Sequence, residues 1–397
     1  MKNIIVAGGG LVNKGAQAMT FVTVSELSKR FPNHQIYILS EFDSKREESE
    51  LNNYKFKIIK WYPMKYARAN KNAFLRLMCM LRNNKEYSEI SNIYKNADLF
   101  VDISGYAIGS VWSDAICNNY LDNIEFALLY DLPVYLLPQS FGPFEYKNPS
   151  ESKILDRIKS LLPKAKIIFA REQSGFDALG NIISTNNVRL ADDIVLSNRE
   201  IDYSTVYYEV PRQSFSVEKN SVCIIPNDRI IQVGKYDELM SYYHVIIPKL
   251  IELNKTVYFV KHSDYDAKLL NTIKDEFKSF EGKLVFIEDS LGCIEFAELL
   301  MQFDFVISSR FHSIVFSYKN GIPCIALGWA DKYGDLLSKF GQSEYFVDMR
   351  EKYDEQRTFQ LIERINSQRE EESHTIQKYL AIIQKHTAFD DIDSLSA

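Results

Sequence analysis

The sequence predicts two α/β domains facing each other across a cleft, followed by a helical tail. Three observations lead there. Short continuous apolar runs alternate with helical patterns over 1–197, as in a parallel sheet covered on both faces. The stretch 198–220 (NREIDYSTVYYEVPRQSFSVEKN) breaks that rhythm and reads as a linker. The alternation then restarts over 221–354, and 355–397 is polar with apolar residues at helical spacing.

In the first domain, residues 3–7 (NIIVA) read as a buried strand ending in glycines, and 15–31 as the helix after it. Strands follow at 35–40, 98–104, 132–137, 166–170 and 188–190, with helices near 86–96, 114–130 and 150–163. In the second domain, strands are expected at 222–226, 256–260, 284–288, 304–308 and 323–328. Helices are expected there near 236–253, 264–277, 291–302 and 312–320. The tail reads as one long helix over 355–386. The cleft between such domains lies at the carboxyl ends of the strands.

Composition narrows the function classes. The 397 residues carry 47 Lys and Arg against 53 Asp and Glu, a net charge of −6. An acidic chain is a poor partner for nucleic acid, which binds through phosphate neutralisation. The charge is uneven: +3 over 1–197 and −9 beyond. Five cysteines form no C-x-x-C pair, so neither a disulfide framework nor a zinc knuckle is written here. The amino terminus lacks the apolar run of a secretory signal, and 124–138 is interrupted by Asp131 and Pro133. The expected home is the cytoplasm. One segment, 54–85, holds nine Lys and Arg and no acid. Its helix near 72–83 either rests on the inner face of an anionic membrane or packs on the core with a solvated basic face.

Several strand ends carry chemistry. Gly8-x-Gly10 follows a strand, but Asn13 replaces the third glycine of a dinucleotide fingerprint and Glu41 lies beyond the usual spacing. Asn13 and Lys14 at a helix start suit an anionic or hydroxylated ligand. Asp102 sits within an apolar strand, where an unpaired carboxylate is costly. It is either satisfied by loop amides or faces the cleft as a general base. Asp114 is a second acid in that region, or a helix cap. Gln139 ends the next strand, and Arg171 beside Glu172 either binds an anion or pairs internally.

The strongest local signal is DFVISSRFHSIVFSYKNGIPCIALGW (304–329). An apolar strand delivers Ser309, Arg310 and His312 to a helix start, where a guanidinium fork and helix amides favour an anion. His312 either binds as a cation or shuttles a proton. Arg310 alternatively pairs with an acid across the domain. Arg229 and His262, with Lys261 beside it, follow the first two strands of the same sheet and are expected on the same rim. That rim is a receptor for a small, multiply charged anion.

These residues resemble the polysaccharide pyruvyltransferase family, with two Rossmann-like domains arranged as in GT-B glycosyltransferases. The features correspond in order: the glycine turn with N-x-G (Gly8–Gly15), D-I-S-G (102–105), PQSFGPF with A-R-E-x-S (138–144, 170–174), and S-R-F-H-S with N-G-I-P (309–313, 320–323). Family members commonly have Leu at the place of Phe311. The resemblance implies phosphoenolpyruvate as donor and a hexose of a glycan or lipid-linked precursor as acceptor. It places Arg310 and His312 on the donor, with Arg229, Ser309 and His262 nearby. His312 is then the acid or the phosphate clamp, and Asp102 takes the hydroxyl proton. Asn13, Asp114, Gln139 and Arg171 are expected toward the acceptor. No metal or resident cofactor is expected, because the basic rim neutralises the donor. Two other classes stay open: a glycosyltransferase using a nucleotide sugar, with Asp331 and Asp335 near its donor, and a non-catalytic sugar- or phosphate-binding protein.

Overall fold

The computed structural model describes residues 2–61, 74, 77–78, 85–146, 149–212, 214–232, 236–280 and 282–392. The first domain contains β1 (Lys2–Ala7), β2 (His34–Leu39), β3 (Lys57–Ile59), β4 (Ala97–Asp102), β5 (Val134–Gln139), β6 (Ile167–Ala170) and β7 (Val188–Leu190). The second contains β8 (Ser221–Ile225), β9 (Thr256–Val260), β10 (Leu284–Ile287), β11 (Phe305–Ser308), β12 (Cys324–Gly328) and β13 (Phe346–Asp348). The sheet orders are β3-β2-β1-β4-β5-β6-β7 and β10-β9-β8-β11-β12-β13, and every pairing is parallel.

Both sheets reverse direction next to their first strand, between β1 and β4 and between β8 and β11. Such a reversal opens a crevice at the strands' carboxyl ends, because neighbouring crossovers leave on opposite faces. The register sets Ala7 beside Asp102 in one sheet and Ser308 beside Ile225 in the other. The two reversal points meet where Gly15 packs on His312; the glycine turn after β1, D-I-S-G after β4 and S-R-F-H-S after β11 lie at them, while PQSFGPF and A-R-E-x-S follow β5 and β6.

The strands are apolar runs because both their faces are buried. Ile4, Val6, Leu99 and Val101 point into a core that continues into the second domain. Ile5, Ala7 and Phe100 point into a separate core beneath the helix Asp114–Leu128. Helix positions agree with the sequence pattern, while β3 and β13 are additional edge strands of three residues each.

The linker packs along the first domain: Asp202 N–H donates to Ser25 Oγ at 3.0 Å, and Lys55 N–H donates to the Val206 carbonyl at 2.8 Å. The tail forms two helices, Glu355–Ser367 and Arg369–Ile383, rather than one. It then returns to the first domain, where Asp391 pairs with Arg189 at 2.6 Å and Asp390 with Arg30 at 2.8 Å.

Within the basic segment 54–85, residues 62–73, 75–76 and 79–84 lie outside the described residues, and with them most of the expected amphipathic helix. Among the described residues no helix is long and apolar enough to cross a membrane.

Candidate functional site

Strand β11 is buried throughout and ends level with β8, while β12 runs two residues further. Its last backbone groups are pinned: Asn227 Nδ2 and the Tyr333 hydroxyl both donate to the Ser309 carbonyl, at 2.8 and 2.9 Å. Arg310 caps the helix Phe311–Lys319. Its guanidinium is taken by Asp266, with Nε donating to Oδ2 at 3.0 Å and Nη2 to Oδ1. Asp266 is fully buried and also accepts from the backbone of Asp228 and Ser263. Of the two readings the sequence allows, pairing within the domain is the arrangement found.

His312 stands where the domains meet. Its ring packs on Gly15, and a Cβ there would lie 2.2 Å from the imidazole, so only glycine fits. Nε2 lies 3.7 Å from Asp193 Oδ2, beyond hydrogen-bond reach, and has no partner among the described residues. Burial pushes the His312 pKa down to about 4, aided by Arg171 and Lys332 and opposed by Asp193. His312 is therefore neutral in the free protein.

Asp193 belongs to a buried network of the first domain. Arg171 donates from Nε to Glu172 and from Nη1 to Asp193, each at 2.8 Å, and from Nη2 to Ser140 Oγ at 2.7 Å. Its guanidinium also lies over the Phe311 ring at 4.3 Å. Arg171 thus holds Glu172 and Asp193 in place and is itself 4% exposed, with its donors taken by Glu172, Asp193 and Ser140.

The cleft itself has a volume of about 560 Å³, lined by both domains. Arg229 lies between two indoles, 5.1 Å from the Trp112 ring of the first domain and 5.7 Å from the Trp329 ring of the second. Lys332 Nζ lies over the rings of Tyr106, Phe311 and Trp329, at 5.0, 5.2 and 5.3 Å. No carboxylate pairs with Lys332 among the described residues, and burial with nearby guanidinium charge pushes its pKa down to about 7. The buried indole N–H groups of Trp112 and Trp329 have no partner among the described residues. Glu172, bonded through Oε1 to Ser140 and Arg171, also lines the cleft. Arg229, Lys332 and the Trp329 indole share the lining with Glu172, Glu145 and the Asp331–Arg350 pair, and the two cations outside that pair can hold an oxyanion beside a hydroxyl.

The remaining expected residues lie elsewhere. His262 is buried beneath the site, its Nδ1 2.8 Å from Ser313 Oγ, and burial holds it well below the ordinary histidine range. Lys261 pairs with Asp264 at 3.0 Å. The expected Arg–Arg–His–Lys rim is therefore not assembled on the surface. Ser309 is fully buried. Asn13 caps the helix Lys14–Arg30, accepting from Gly15 and Ala16 N–H at 2.9 and 3.3 Å.

Asp102 is fully buried, accepts from Ser104 N–H at 2.9 Å and Gln139 Nε2 at 3.4 Å, and does not face the cleft. Burial pushes its pKa up to about 6. Gln139 is equally buried. Asp114 is exposed in the first turn of its helix. Sequence reasoning missed Lys332 and Trp329. Their signal is WADKY (329–333) directly after a strand end, where the acids draw attention first.

The comparisons agree with this architecture. The family model for polysaccharide pyruvyl transferase matches residues 13–332. No curated protein matches the chain. Among solved structures, an S. aureus MnaA–UDP co-structure superposes with a TM-score of 0.60 at 11% identity, covering 96% of this chain and 91% of that one. UDP-GlcNAc 2-epimerase from Methanocaldococcus jannaschii gives 0.56 at 15%, covering 91% and 92%. A glycosyltransferase from Rickettsia africae gives 0.56 at 16%, covering 97% and 96%. The fold is the two-domain, GT-B-like arrangement.

Proposed function

The chain belongs to the polysaccharide pyruvyl transferase family, and we propose that it moves the pyruvyl group of phosphoenolpyruvate onto a hexose of a surface polysaccharide or its lipid-linked precursor. The product is a cyclic ketal and the leaving group is phosphate. The observation that carries this reading is the oxyanion receptor of the cleft. Lys332 pairs with no carboxylate among the described residues, Arg229 lies beside it, and the Trp329 indole N–H has no acceptor among those residues.

In this reading Arg229 and Lys332 take the donor's carboxylate and phosphate. The reaction begins with protonation of the enol CH₂ carbon, leaving a cationic centre on its neighbour. One sugar hydroxyl adds there and loses its proton. A second hydroxyl displaces phosphate, breaking the C–O bond and passing its proton to the leaving group. Glu172, rather than Asp102, is the carboxylate that meets the hydroxyls. His312 supplies the proton. Burial is the main force against its protonation and Arg171 and Lys332 add to it; a donor anion offsets those cations, while Asp193 already favours the proton. Arg310 acts through Asp266, fixing the loop that carries His312.

Calorimetric titration with phosphoenolpyruvate tests the reading, with Lys332→Met and Arg310→Ala alongside. Binding to the wild type that weakens at least tenfold in Lys332→Met is expected. Binding of UDP-glucose without any of phosphoenolpyruvate overturns the proposal in favour of a nucleotide-sugar donor.

A further inference from the structure

The crevice between the domains holds a second cavity, of about 310 Å³, at the edge where the loops after β1 and β2 face the loop after β10. The start of the helix Lys14–Arg30 separates it from the cleft. Gly15 packs on His312 there, and Lys14 Nζ donates to the His262 carbonyl at 2.8 Å. One wall of this cavity is therefore the back of the proposed reaction site.

Its charges do not suit an anion. Lys14 and Arg46 are outnumbered by Glu50, Asp264 and Glu295. Arg46 is already held by Asp43 and Glu50, each at 2.8 Å. Lys14 is held by its carbonyl, and its charge disfavours a cationic guest. One carboxylate of its lining lacks a donor among the described residues. Glu295 lines it, is 7% exposed, and has Oε2 without a hydrogen-bond partner among the described residues. A buried carboxylate oxygen left so is costly until a donor arrives. Gly292 is tailored to that oxygen, since a Cβ would lie 2.5 Å from it. The Tyr54 and Tyr207 rings, 5.1 Å apart, add an aromatic wall. Hydroxyl donors on an apolar ring face, without net charge, describe a carbohydrate.

We propose that this cavity binds an uncharged sugar unit of the acceptor, so that the glycan is gripped at a second place besides the cleft. The inference rests on the glycan acceptor of the reading above. An acceptor of several sugars is then held more tightly than a monosaccharide, because the second contact is made at high effective concentration.

The test is saturation-transfer NMR on the full chain with the methyl glycosides of glucose, galactose and mannose. Transfer to at least one glycoside is expected. It should persist in Lys332→Met and fall at least fivefold in both Glu295→Gln and Val12→Trp. Val12 is 38% exposed and lines the cavity, so the indole fills it from outside, and an unchanged melting temperature confirms folding. No transfer to any glycoside overturns the proposal, as does transfer that both cavity variants leave intact. Phosphoenolpyruvate calorimetry on the same samples separates the two ideas. Donor binding without sugar transfer refutes only this site, and sugar transfer at the cavity without donor binding refutes only the donor.

Discussion

At the scale of single residues, the basic groups were legible and their partners were not. Arg310 and His312 announced themselves by following an apolar strand. Asp266 and Asp193, which decide what those groups do, lie 44 and over 100 residues away, and only folding brings them near. Lys332 is the group most exposed to a direct test. Replacing it by Met keeps the contact with the rings and removes the charge. One charge-assisted hydrogen bond contributes ~1.5–3 kcal/mol, so phosphoenolpyruvate should bind about 10- to 150-fold more weakly. The free lysine has a pKa of about 7, so its charged fraction falls as pH rises above that value. Wild-type affinity should therefore drop toward tenfold per pH unit above neutrality, and calorimetry on Lys332→Met should show no such slope.

Asp102 gives an opposite kind of prediction. Its pKa is about 6 in the folded chain, against an ordinary value near 3.8, so the folded state holds the extra proton between them. Stability contributed by that group is present at low pH and is lost as pH rises through 6, to about 2–3 kcal/mol. Asp102→Asn keeps an acceptor for Ser104 and offers an N–H to the neighbouring amide, whose Gln139 Oε1 lacks a partner among the described residues. Urea unfolding should find the Asp102→Asn variant more stable than wild type at pH 8, with the gap about halved at pH 5 and closed below about pH 4. Equal destabilisation at both ends of that range would contradict this account.

At the scale of elements, buried apolar runs bounded by turns identified the long strands, because a parallel strand buried on both faces has no competing polar pattern. The strands β3 and β13 escaped since three residues show no period. The single tail helix was an error of the same origin: a break at Gln368 changes no hydrophobic spacing. The N-x-G turn suggests a ligand in the sequence, yet its residues serve geometry. Asn13 caps the helix and Gly15 admits His312. Gly15→Ala should therefore cost about 1–3 kcal/mol of overpacking. It should also weaken phosphoenolpyruvate binding, although Gly15 touches no ligand. Urea unfolding and calorimetry check the two effects, and an alanine variant as stable and as tight as wild type would show that the His312 contact yields easily.

At the scale of the whole molecule, the two domains were legible as a repeated strand rhythm, but their coupling was not, since contacts between them join distant stretches. The core beneath β1 and β4 runs on into the second domain. Gln17 accepts from Cys293 N–H at 2.7 Å, and Lys339 reaches across to the Arg171 carbonyl at 3.0 Å and to Asp192 at 2.8 Å. The tail ties the second domain back to Arg30 and Arg189. Shared apolar burial of this kind makes the loss of one domain expose the other's core. Calorimetric melting should accordingly show one transition rather than two. The cleft sharpens the test, because Arg229 and Lys332 come from the second domain while Trp112 and Tyr106 come from the first. Phosphoenolpyruvate at a hundred times its dissociation constant adds about 2.7 kcal/mol to whatever unit binds it. If the domains are coupled as described, the whole transition moves upward with ligand. If a second transition stays fixed while the first moves, the domains unfold separately, and the donor is held by one of them alone.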